Sequence, residues 1–181
     1  MYKRCKQFRF LVVLASAVVL SSPATSEPTW PTARNSLAIA SKAADVWVDD
    51  AHLVWIENDD DLDAQGHSRA WGYLFYSESL GAMRSWSVQQ GKLQKPQDHS
   101  VRAAAPALDL QWIDSNAAVD LVWHQARKDA EVDWSLVSLV LVRGVFDAQQ
   151  TWVAVFDNGE GPRLHVVLRA SNGDLLRRWR G

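Results

Sequence analysis

Apolar residues recur at helical spacing from Ala33 to Trp47, where Leu37, Ala40, Ala44 and Trp47 share one face and alanine fills the turns between them. The pattern then changes period. Ala51 to Ile56 reads as a strand, Asn58 to His67 as an acidic turn, and Arg69 to Tyr76 as an aromatic strand whose Trp71, Tyr73 and Phe75 alternate onto one face. Two shorter strands, Met83 to Gln89 and Lys92 to Lys95, flank the turn at Gln90-Gly91.

The same order of elements returns further on. Asp114-Ser115 is a helix N-cap signal, and the helix it opens runs to about Lys128 with Val119, Val122, Trp123 and Ala126 on one face. Strands are predicted over Trp134 to Arg143, Gln150 to Asp157, Arg163 to Ala170 and Asp174 to Arg178, the last two joined by the hairpin signal Asn172-Gly173. Trp71 and Phe75 fall on Trp152 and Phe156 at an offset of 81 residues, and Gly91 and Leu93 on Gly173 and Leu175 at an offset of 82. The expected fold class is α+β: two tandem repeats, each a helix followed by a four-stranded antiparallel meander sheet. The expected units are residues 27–95 and 114–181, joined by a linker over 96–113 that holds Pro96 and Pro106. That linker is too short to separate the units widely, so the sheets are expected side by side or as one surface with helices on one side.

Ahead of the first helix, Lys3, Arg4, Lys6 and Arg9 precede an apolar run from Leu11 to Leu20. The run is about half the length a membrane-spanning helix needs. Small residues follow it, with cleavage after Ala24 or Ser26, so residues 1–26 read as a secretory signal peptide and the mature chain as periplasmic or secreted, without a stable membrane span. An uncleaved N-terminal anchor is the alternative. Cys5, the one cysteine, lies before the apolar run, which disfavours lipid attachment and leaves the mature chain without thiol chemistry. Without the four signal bases, 19 basic and 21 acidic residues become 15 and 21, a formal charge of −6. An acidic protein is a poor partner for nucleic acid or an anionic membrane.

Candidate chemistry is sparse. No Gly-x-Ser-x-Gly, Ser-x-x-Lys or His-Glu-x-x-His motif occurs, and the histidines show no zinc-ligand spacing. No catalytic residue is expected, and no cofactor apart from calcium. The acidic loop places Asp61, Asp63 and Gln65 at the first, third and fifth positions of a calcium loop, with Asp59 beside them and Gly66 at the sixth. Its twelfth position is Gly72 in place of a bidentate Glu, and the plainer reading is a solvated turn. The aromatics Trp71, Tyr73, Tyr76, Trp86 and Trp152 come from neighbouring strands; one face of such a sheet is core, and the other is a candidate binding surface.

The alanine-rich helices, the strands Trp71 to Ser77 and Trp152 to Asp157, and the closing Gly91-Lys-Leu93 and Gly173-Asp-Leu175 resemble the PepSY and PepSY-like domains of bacterial envelope proteins; the tandem layout is similar to that of β-lactamase-inhibiting proteins. The resemblance implies a non-catalytic module that binds or regulates a protein or peptide of the envelope. The alternative is a small-ligand or calcium-binding periplasmic protein using loop 58–67 or the cleft between the units.

Overall fold

The computed structural model describes residues 30–100, 104–146 and 148–181. The signal-peptide reading of residues 1–26 lies outside the described residues. Among the described residues two helices, α1 (Ala33–Trp47) and α2 (Ser115–Ala126), accompany nine strands: β1 (His52–Asn58), β2 (Ala70–Ser77), β3 (Ala82–Gln89), β4 (Lys92–Leu93), β5 (Gln97–His99), β6 (Ser135–Phe146), β7 (Gln149–Asp157), β8 (Leu164–Arg169) and β9 (Leu175–Arg180). All nine belong to one antiparallel sheet in the order β4-β3-β2-β1-β6-β7-β8-β9, with β5 also pairing to β3.

This corrects the expected fold of two helix-plus-four-strand units. The molecule is one large sheet with two helices laid on it, and its first half contributes five strands, not four. The fifth, β5, falls within the stretch expected as linker; Met83, Arg84 and Ser85 pair with His99, Asp98 and Gln97. At the centre, β1 pairs with β6 through Trp55–Val142, Ile56–Leu141 and Glu57–Val140. The physical reason is edge protection. Two separate sheets would each present an unpaired apolar edge strand, and joining β1 to β6 removes both edges.

Helix α1 starts where Thr32 accepts a hydrogen bond from the Asn35 backbone N–H at 3.3 Å and ends at the extended Val48. Helix α2 starts at Asp114. Both helices cover the same face of the sheet, because alternation sends Trp71, Tyr73 and Phe75 of β2, Leu139 and Leu141 of β6, and Trp152, Ala154 and Phe156 of β7 into one core with Leu37, Ala40, Val119 and Val122. Burial at this face is what fixes the strand register, since a slip by one residue would exchange the two faces. Two indoles tie sheet to helix in matching ways: Trp71 Nε1 donates to Pro31 O at 2.9 Å, and Trp152 Nε1 to Ile113 O at 2.8 Å. Tyr73 donates its hydroxyl to Ala33 O at 2.6 Å, and burial pushes its phenol far above the ordinary range, so it remains a donor.

Candidate binding groove

The opposite, helix-free face has a different character. A β-bulge between Leu53 and Trp55 resets the alternation of β1, so that Ile56 enters the core while Trp55 and Glu57 face away from it. Across the sheet Trp55 is flanked by Val142 and Leu74, and Leu74 by Ser85; Glu57 is flanked by Val140 and Gly72, and Gly72 by Ser87. Beyond β3 the chain leaves β4, where Gln94 N–H donates to Ser87 O at 2.8 Å, and rejoins the same strand edge as β5. The segment from Gln94 to His99 forms a wall. The result is a groove of about 610 Å³ whose lining includes Trp55, Glu57, Asp59, Leu74, Ser85, Ser87, Gln94, Lys95, Gln97 and His99.

Gly72 shapes the floor. It lies mid-strand, where glycine weakens a sheet unless something approaches closely. Here the approaching group is the Asp59 carboxylate: a Cβ at residue 72 would sit 2.5 Å from Asp59 Oδ1. The side chains of Trp55, Glu57, Asp59 and Lys95 form no hydrogen bond, ion pair or ring contact with the described residues. His99, in contrast, is held by Ser85 Oγ at 2.8 Å, and Asp98 beside it pairs with Arg84, whose guanidinium holds the carboxyl below its ordinary range.

Of the residues expected from sequence, Asp59, Tyr73 and Trp86 border the groove, the two aromatics from its buried floor, and the others lie elsewhere. Trp71, Tyr73, Trp86 and Trp152 are core residues beneath the helices, and Tyr76 is buried as well, so none offers a free ring to a partner. The acidic loop does not converge either. Asp63 Oδ1 accepts from the backbone N–H groups of Gln65 and His67 at 2.9 and 2.8 Å, and its Oδ2 meets His67 Nδ1 at 3.0 Å. Asp60 pairs with Arg69, while Asp59 turns into the groove and Gln65 is exposed. Among the described residues no group of three or more His, Asp or Glu side chains is arranged to hold a metal ion. Gly66 has a structural reason: it adopts φ +79°, and a Cβ there would come within 2.5 Å of Ser115 O at the start of α2. The groove residue that sequence reasoning missed is Trp55, whose only signal was its place next to Ile56 in an alternating strand.

Among known structures, the fold is similar to a crystal structure described as a "putative lipoprotein" from Clostridium difficile 630, with a TM-score of 0.61 and 10% identity over 87% of this chain and 98% of that one. At that identity the likeness concerns the fold alone. No family model matches the chain, and no curated protein matches it. Among the described residues no helix is long and apolar enough to cross a membrane.

Proposed function

We propose that this protein is an exported component of the bacterial envelope that has no catalytic activity of its own and acts by binding a protein or peptide partner on the helix-free face of its sheet. The observation that carries this reading is the groove beside Trp55. It is large enough for several side chains, and it is bordered by the outermost strands β4 and β5, where an extended chain is easily received. Four of its side chains, Trp55, Glu57, Asp59 and Lys95, make no hydrogen bond, ion pair or ring contact among the described residues. Support for export comes from the basic and apolar run over residues 1–26 and from the lipoprotein description of the similar structure. The resemblance to PepSY domains, which implies a non-catalytic binding module, belongs to the same reading.

Site-specific photo-crosslinking tests it. A photoreactive residue at Leu74, inside the groove, is expected to trap a discrete partner in the envelope of expressing cells. The same residue at Val46, 88% exposed on the helical side, should not. Equal labelling from both positions would refute the groove as the partner site.

A further inference from the structure

Resting on the groove as the partner surface, we infer that what it receives is a lysine or arginine side chain presented by an extended peptide segment. Trp55, Glu57 and Asp59 follow one another at alternate positions from β1 onward, and all three line the groove. That order puts an aromatic surface first and two carboxylates beyond it, with roughly 7 Å between successive alternate positions. A lysine or arginine side chain has the matching sequence of parts: an apolar stem, then a charged head. The stem lies on Trp55 and Leu74, and the head reaches Glu57 and the Asp59 carboxylate, which lies over Gly72.

Charge complementarity selects a cation. Neither carboxylate is neutralised within 4 Å by any lysine or arginine among the described residues, although seven Arg–Asp contacts form among them. Glu57 is half-buried and Asp59 exposed, and a half-buried carboxylate gains from a charge-assisted hydrogen bond when its partner arrives with the ligand. Lys95 and His99 line the same groove and oppose a cationic ligand; His99 is occupied by Ser85, and Lys95 is unpaired. The sheet edge favours a peptide over a free amine. Ser85, Ser87, Gln94 and Gln97 supply hydroxyls and amides along the groove at the level of a bound main chain.

Fluorescence anisotropy with short labelled alanine–serine peptides, identical except for a central lysine, norleucine or glutamate, tests this directly. The lysine peptide is expected to bind roughly tenfold more tightly than the norleucine peptide. Glu57→Gln with Asp59→Asn should erase that preference, and Lys95→Met should widen it. None of these changes should move the thermal midpoint appreciably, because these side chains make no hydrogen bond or ion pair among the described residues. If lysine and norleucine peptides bind alike and both are lost in Ser87→Trp, the groove remains the partner site and the cation inference falls alone. If no peptide binds the unaltered protein, both readings fall. If lysine amide by itself competes as well as the peptide, the occupant is a small cation and the peptide inference is overturned.

Discussion

Gly66 and Gly72 show how the same residue type answers to different neighbours. At Gly66 an added Cβ meets backbone, 2.5 Å from Ser115 O and 2.8 Å from Asn116 Cα, and φ is +79°. Nothing there can yield cheaply. Gly66→Ala is expected to cost about 2–3 kcal/mol in urea unfolding, with the loop and the start of α2 both displaced. At Gly72 the obstruction is only the tip of the Asp59 side chain, which can swing away. Gly72→Ala should therefore change stability by less than about 1 kcal/mol while weakening binding of the lysine peptide, since Asp59 leaves its place. Asp50 governs a different property. Its carboxylate accepts from the Ser79 backbone N–H at 2.7 Å and from Ser77 Oγ at 2.7 Å, and these bonds lower its pKa from 3.8 to about 2. Asp98, Asp129 and Asp157 are lowered too, by Arg84, by Arg180 with Arg178, and by the Gly159 N–H with Arg163. A folded-state pKa below the unfolded one stabilises the fold above the unfolded value, and that stability is lost as pH falls through the folded value. Thermal midpoints should stay level down to about pH 4 and then fall toward pH 2. Asp50→Asn should reduce the size of that fall.

At the scale of elements, the start of α2 serves both helices. Asp114 Oδ1 accepts from the N–H groups of Ser115, at 2.7 Å, and Arg34, at 3.0 Å, while Ser115 Oγ accepts from the Ala33 N–H at 3.0 Å. One carboxylate thus faces the positive ends of two helix dipoles. Asp114→Ala is expected to cost about 1–2 kcal/mol, and Asp114→Asn less, because it keeps an acceptor while losing the charge; chemical denaturation of the two variants separates these contributions. The Asp114 signal was legible in the sequence, as was α1, whose apolar spacing predicts Ala33 to Trp47 and whose helix spans those residues. Strand β5 was not. Gln97, Asp98 and His99 are polar and exposed, so no alternation marks them, and they are held by backbone pairing to β3 and by the Arg84–Asp98 ion pair. The groove was hidden for a related reason. Alternation says that β2 has two faces, but which face the helices cover is settled by packing against both halves at once. Trp71 and Tyr73 proved to be core for that reason, and Trp55, on the other face, carried no distinguishing mark.

On the scale of the whole molecule, the question is whether the two halves are stable separately. Their apolar residues form one continuous core: Trp71 and Val88 belong to the same cluster as Val119 and Phe156. The seam between β1 and β6 is the middle of the sheet, and Asn58 crosses it by accepting the Leu139 N–H at 2.7 Å. Cutting the chain near residues 101–103 would leave β1 and β6 as bare edges carrying Ile56 and Leu141, each now fully buried. A fragment of about 70 residues buries a smaller share of its surface than the intact chain, so neither half has stability to spare. A single unfolding transition in urea is therefore expected, with tryptophan fluorescence and far-ultraviolet circular dichroism falling together. Fragments 30–100 and 104–181 should each lack a cooperative melt alone and regain one when mixed. Asn58→Ala should shift the single transition by about 1–2 kcal/mol without splitting it, because it strips a partner from a buried N–H at the seam. A cooperative melt of fragment 104–181 by itself would instead show that the second half folds as an independent unit, with the seam a contact between two domains within a shared sheet.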